Sequence, residues 1–450
     1  MMEKARAESI LRSALELSKS DEIEVCLGGG SYSLTRFANN TIHQNVSEKR
    51  NQLSVRSVFG KKSGKAVTNK LDPEGVLSAV RQSETAAAAQ PEIPELLPMP
   101  GPQQYPVVDA FSPETASLPP GFRAEAVARA VRLCKKNGLQ AAGYFSSGYG
   151  SLGGYGEVSP LAMANSRGLS AYHSGTEASF SITAMGEGSS GWGQETSWLV
   201  SNIDVEKVAS VAVEKALLSS KPRQLEPGKY KVILEPAAVA ELMAYMAWVG
   251  FGALQLQEGR SFMAGKVGQK VFGENISIYD DVYHDLLRGR PFDSEGMPRK
   301  RVTIAEKGVL KGPVYDRITA SKDQKESTGH GLPVPNTSGP EASSVVLEGF
   351  QPVTPEELVK RTDRAILVTR FWYVNVVDPM KVVLTGMTRD GTFLVENGKI
   401  ACGIRNFRFN QSVIELLSNV EAMSTPVRTG GCVVPGLLVR DFNFSSGTEF

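Results

Sequence analysis

Apolar residues at Ala5, Ile10, Leu11, Ala14, Leu15 and Leu17 mark one face of residues 3–19 and predict an amphipathic helix. Period-two patterns then take over. Strands are expected over 22–27, 31–38, 41–46 and 52–59, with Asn39 and Asn40 as a turn and Gly60 as a stop. Asp72 and Pro73 open a second helix, one as N-cap and the other at a first-turn position that needs no N–H partner. The order then recurs: a helix from about Arg123 to Lys136, strands over 140–144, 159–165, 169–172 and 177–185, a glycine-rich turn through Gly186, Gly188, Gly191 and Gly193, and a helix opening at Asp204. Asp72, Glu74, Val76 and Ser78 match Asp204, Glu206, Val208 and Ser210 at equal offsets, so an α+β unit is read as duplicated.

Between the two units, residues 91–120 hold nine prolines and no helical period, and are expected to form an extended connection. Past Pro227 a strand over 229–234 leads into an apolar helix from Pro236 to about Gly252. The rest reads as β: 276–279, 300–306, 309–313, 365–368, 371–377, 381–387, 392–395 and 433–444, with a short helix near 412–418. Asn397-Gly398 signals a type I′ hairpin turn. The expected fold class is α+β: duplicated N-terminal α+β units followed by a β-rich, barrel- or sandwich-like C-terminal domain. The expected boundaries are 1–90, the connection 91–120, 121–226 and 227–450.

Composition narrows the function classes. Hydrophobic residues at 41% and charged residues at 22% fit a soluble globular chain. With 49 basic against 48 acidic residues there is no global field to draw nucleic acid, so no direct nucleic-acid partner is expected. No apolar run of about 18 residues exists to span a membrane, and the start lacks a signal-peptide core. Cys26, Cys134, Cys402 and Cys432 form no CxxC pair, which fits a reducing cytoplasm.

Catalytic motifs are missing. His43, His173, His284 and His330 are the only histidines, and no two lie within helical reach. There is no GxxxxGK[ST] and no GxSxG, and Gly28-Gly29-Gly30 lacks dinucleotide-binding spacing. No catalytic residue and no metal site are therefore assigned.

Several segments carry a resemblance. Thr35-Arg36-Phe37-Ala38-Asn39-Asn40-Thr41-Ile42-His43-Gln44 and Asn165-Ser166-Arg167-Gly168-Leu169 resemble markers of the TldD/PmbA family, also called modulator of DNA gyrase or peptidase U62. Pro291-Phe292-Asp293-Ser294-Glu295-Gly296, Ser327-Thr328-Gly329-His330 and Gly431-Cys432-Val433-Val434-Pro435-Gly436-Leu437 resemble its TldE/PmbA branch. In the TldD branch a strand leads into HExxxH, whose histidines bind zinc with a distant cysteine. Here Glu235, Pro236 and Ala240 occupy the motif positions. The resemblance thus implies a non-catalytic subunit without a cofactor, whose TldD-like partner carries zinc and degrades or matures extended, unfolded peptides. Absent that partner, a homodimer is expected. A stand-alone metallopeptidase with an unrecognised site and a DNA gyrase regulator are the alternatives.

Each candidate residue has a plain reading beside the functional one. Arg36 and Asn40 meet a peptide or partner, or are a strand-face arginine and a turn asparagine. Asp293 and Glu295 form a carboxylate dyad, or a solvated turn in which Asp caps N–H groups. His330 lines a chamber or holds a local hydrogen bond. Cys432 lines a channel or is a small buried hydrophobe. Met243, Met246, Trp248 and Phe251 pack the core or meet another subunit.

Overall fold

Gly28, Gly29 and Gly30 do not interrupt the first strand: the segments expected over 22–27 and 31–38 are one strand of 17 residues. A computed structural model describes residues 3–150 and 160–448. The N-terminal half contains α1 (Lys4–Leu17), β1 (Glu22–Ala38), β2 (Thr41–Phe59), β3 (Lys62–Thr68), α2 (Pro73–Ala89), α3 (Pro113–Ala116), α4 (Pro120–Lys136), β4 (Gln140–Gly150), β5 (Pro160–Asn165), β6 (Ser170–Tyr172), β7 (Thr176–Gly186), β8 (Ser189–Ser197) and α5 (Val205–Leu218). Ser159, read as the start of β5, lies outside the described residues.

The two repeated units are halves of one sheet. Its order is β3-β2-β1-β4-β7-β8, and β1 joins the halves by pairing with β4 over Gly30–Phe37 and with β5 over Glu24–Gly28. Asp72 and Asp204 cap α2 and α5 alike, accepting from Gly75 N at 2.7 Å and Lys207 N at 2.9 Å. Helices α4 and α5 cover one face of the second half, where Phe37, Phe145, Phe180 and Ile182 are buried. The proline-rich connection is ordered by straps: Glu22 accepts from Met99 N, Asn165 donates to Pro100 O, and Tyr105 donates to Gly296 O across to the C-terminal half.

Gly191 and Gly193, expected in a turn, belong to β8; the turn is confined to Glu187 and Gly188. They are glycines because α5 lies directly on them. A Cβ at Gly191 would sit 2.1 Å from the Ala212 carbonyl oxygen. Gly191→Ala is expected to push α5 off the sheet and destabilise by about 1–3 kcal/mol, read as a lower denaturant midpoint; an unchanged midpoint contradicts this packing.

The C-terminal half contains β9 (Gly228–Leu234), α6 (Pro236–Gly250), α7 (Ala253–Gln257), β10 (Ser277–Asp280), β11 (Val302–Glu306), β12 (Val309–Leu310), α8 (Arg317–Lys322), β13 (Val345–Glu348), α9 (Pro355–Lys360), β14 (Arg364–Asp378), β15 (Val383–Glu396), β16 (Lys399–Gly403), β17 (Phe407–Ser412), α10 (Val413–Ser418), β18 (Val420–Met423), β19 (Val427–Thr429), β20 (Cys432–Val434) and β21 (Leu437–Gly447). The sequence pattern missed α3, α7, α8 and α9, which are too short to show a period. Strands β14, β9, β21, β17 and β15 pair in that order, and β15 pairs back to β14, closing a five-stranded barrel. Alternation supplies the reason. Val232, Leu234, Ile366, Val368, Leu437 and Val439 enter the main core, while Ile233, Leu367 and Leu438 between them enter a smaller one covered by Leu358 of α9.

Phe371, Phe409, Phe442 and Phe444 stack in the main core, each contributing about 1.5–3 kcal/mol of apolar burial. A second sheet, β12-β11-β10-β13-β20-β19, shares this core, and α6 packs against β14 and β20. Met243, Met246 and Phe251 are buried there, whereas Trp248 stays 59% exposed. Among the described residues no helix is long and apolar enough to cross a membrane.

Candidate functional site

Strand β9 delivers Glu235 to the N-terminus of α6, where Pro236 starts the helix. Glu235 caps no N–H; its Oε2 accepts instead from Lys215 Nζ of α5 at 2.5 Å. The pair borders a pocket of about 280 Å³ that Trp192, Gln194, Pro236 and Arg428 also line. Arg428 ties β19 to β7 through an ion pair with Glu177. Ala240 and Cys432 lie in the same core behind it. Burial, reinforced by the Asp280 charge, pushes the Cys432 thiol up to about 12.

Zinc does not fit these residues. A catalytic zinc site takes three protein ligands and an open position. Here one carboxylate is held by a lysine, Pro236 and Ala240 offer no donor, and a single thiol, Cys432, cannot by itself complete a zinc site. Among the described residues no group of three His, Cys, Asp or Glu side chains converges on a point.

The face of the large sheet opposite α4 and α5 is polar. Registers place Arg36 and Leu34 of β1 beside Tyr144 and Ser146 of β4, Ser181 and Ser179 of β7, and Gln194 and Thr196 of β8. Gln194 donates to Tyr144 Oη at 3.0 Å, Ser179 and Thr196 share a 2.8 Å hydrogen bond, and Arg36 is exposed. Where this face meets the barrel there is a cleft of about 990 Å³ between the β7–β8 hairpin and strands β14 and β15. Arg370 stands at the boundary of cleft and pocket. It is paired with Asp390, with its guanidinium 4.9 Å from the Trp192 ring and 5.7 Å from the Trp372 ring.

Behind the surface lies a buried polar hub. The Asp280 Oδ1 accepts from His330 Nε2 at 2.8 Å and Arg299 Nη2 at 2.7 Å, and its Oδ2 accepts from Ser344 N at 2.8 Å. Burial opposes its charge, yet these donors hold the carboxyl well below the usual range. Asp293 Oδ1 accepts from Glu295 N and Met297 N, and its Oδ2 from Gly331 N at 2.7 Å. Burial pushes Asp293 up, and burial with the Asp293 charge pushes Glu295 up to about 8.

The hub therefore gathers Asp293, Glu295 and His330, while Cys432 lies in the apolar core within reach of the Asp280 charge and Arg36 lies on the polar sheet face. Asp293 does cap N–H groups, but the turn is buried rather than solvated: Asp293 is 2% and Glu295 8% exposed. His330 is buried and hydrogen-bonded on both ring nitrogens, to Asp280 and Thr328. Asn40, with φ 61°, fastens the β1–β2 turn to β4 by exchanging side-chain bonds with Leu139 O and Ala141 N. Sequence reading missed Lys215, Asp280, Arg299, Arg370 and Trp372, whose meaning depends on partners far along the chain. Asp280, at the end of an apolar strand, was the one local signal.

Two family models match the chain: the PmbA/TldA metallopeptidase central domain over residues 118–219 and the C-terminal domain over 227–446. An uncharacterized protein of Methanocaldococcus jannaschii is 32% identical over 175 residues, covering 39% of this chain and 41% of that protein. The chain covers about half the length, or less, of the first curated relatives it matches. Metalloprotease PmbA of Escherichia coli O157:H7 is 23% identical over 449 residues, covering 94% and 92%. The crystal structure of TldE from Thermococcus kodakarensis shares the fold, with a TM-score of 0.86 at 23% identity over 97% of this chain and 99% of that one.

Proposed function

The chain belongs to the PmbA/TldD metallopeptidase family, and from that premise we propose that it is a TldE/PmbA-type subunit that holds no catalytic zinc and works beside a zinc-bearing TldD-like partner. The Lys215–Glu235 ion pair carries this reading, because it occupies the place at which a zinc-binding member needs metal ligands. The polar sheet face and its two recesses suit a wall along which an extended peptide lies, read through main-chain hydrogen bonds. Exposed Trp248, Val377 and Met380 give α6 and the β14–β15 hairpin an apolar surface of the kind subunit contacts use, for the partner or a second copy. Four free cysteines suit a reducing cytoplasm, and the balanced charge gives nucleic acid no handle.

The test is metal analysis and peptide hydrolysis on the purified chain, alone and mixed with an HExxxH-bearing homologue. The expected outcome is far less than one zinc per chain and no chelator-sensitive cleavage alone, with association and cleavage on mixing. Stoichiometric zinc, with cleavage by the lone chain that Glu235→Gln abolishes, would sink the reading in favour of a stand-alone metallopeptidase. Retention of DNA gyrase but no peptidase subunit in a pull-down would sink it in favour of a regulator.

A further inference from the structure

Two β-bulges lie on the adjacent paired strands β14 and β15, on the barrel wall of the cleft. On β14 the register slips between Trp372 and Asn375, with Tyr373 at φ 53°. On β15 one extra residue opposes the Val368–Arg370 step, with Asp390 at φ 54° and Gly391 at φ 121°. In a regular strand neighbouring side chains alternate between faces; here the bulges turn Trp372 with Tyr373, and Arg389 with Asp390, into one cleft. Non-glycine residues held at positive φ are strained, and strain of this kind gathers at sites that use the side chain.

The charges in the cleft do not cancel. Asp390 is taken by Arg370. Arg389 lies 3.7 Å from the same carboxylate oxygen but remains 45% exposed, its guanidinium carbon 4.4 Å from the centre of the Trp372 ring. Arg405 is exposed on the same cleft, and Glu187 is the other acid lining it. One positive charge is left over, on arginines, which suit the fork geometry of a carboxylate. The aromatic pair beside them offers a platform for an apolar side chain. The volume of about 990 Å³ accommodates several residues of chain rather than a lone ion.

We propose that this cleft is a carboxylate-recognition subsite for peptides, with Arg389 and Arg405 holding the carboxylate and Trp372 and Tyr373 supporting the residue next to it. The inference rests on the peptide-binding reading above and adds a chemical preference to it. The carboxylate comes from the peptide's C-terminus or from an Asp or Glu side chain.

Fluorescence anisotropy on the full chain tests this with a labelled, unstructured Gly/Ser/Thr peptide containing one Phe. It is prepared as the free acid, as the C-terminal amide, and as the amide with one internal Asp next to Phe. The expected result is that the free acid, the Asp-bearing amide or both bind about tenfold more tightly than the plain amide. Arg389→Gln and Arg405→Gln should each shrink that advantage without weakening the plain amide. Which peptide gains identifies the source of the carboxylate. Equal binding of all three peptides, or an advantage unchanged in both variants, overturns the carboxylate assignment while leaving the peptide surface in place. Absence of binding by any peptide overturns both.

Discussion

Replacing Asp280 by alanine is expected to cost about 3–5 kcal/mol of stability, the magnitude of removing one partner from a buried charge network. The Asp280 side chain is fully buried and accepts from Arg299, His330 and Ser344 N. Arg299 already has its Nε buried without a partner, so it has no spare route to compensate. Without the carboxylate, the guanidinium, imidazole and amide stay buried facing an empty space. The loop segments around 280–300 and 328–344 contain little regular structure, and this carboxylate is the charged centre among the hydrogen bonds that link them. The folded-state pKa is depressed, so the contribution is present above the ordinary value of 3.8 and lost as the pH falls below it. Denaturant unfolding at neutral pH measures the effect. A loss below about 1 kcal/mol, the level of an exposed pair, would mean that the hub does not hold the loops.

Glu295 is expected to act in the opposite direction on the pH axis. Its folded-state pKa is raised to about 8 from an ordinary 4.5, by burial and by the Asp293 charge. The stability it contributes is therefore fully present below 4.5 and lost as the pH rises through about 8. Glu295→Gln keeps an acceptor for Arg317 N, bonded at 3.0 Å in the wild type, and removes the titration. The variant should match the wild type near pH 4.5 and exceed it by a few kcal/mol, roughly, at pH 8.5. Unfolding midpoints of both proteins across that range decide it; parallel curves would show that Glu295 ionises freely. Taken with Asp280, the hub favours mildly acidic over alkaline conditions.

Much of the local structure could be read from the residues alone. Asp72 and Asp204 announced two helix starts, Asn39-Asn40 and Asn397-Gly398 announced hairpin turns, and all adopt the backbone their chemistry favours. These are short-range effects, decided by a side chain and the few peptide groups next to it. Gly191 shows where such reading stops. A glycine that permits a turn and a glycine that admits a helix look the same in sequence, and only the presence of α5 distinguishes them. Asp293 and Glu295 show it again, since a polar pair in a turn gives no sign that Gly331 and Arg317 will close over it.

What the sequence determined by itself was the α+β composition, the caps and turns, the family markers, and the absence of histidine from Glu235 through Ala240. Tertiary structure alone decided that the two units share one sheet, that five distant strands close a barrel, and that Lys215 neutralises Glu235. It alone also turned Arg389 and Trp372 into one cleft. The division has a physical cause. Backbone preferences and capping act over a few residues, whereas strand register, bulges and ion pairing join groups far apart in the chain, and their free energy is gained only once the rest has folded around them.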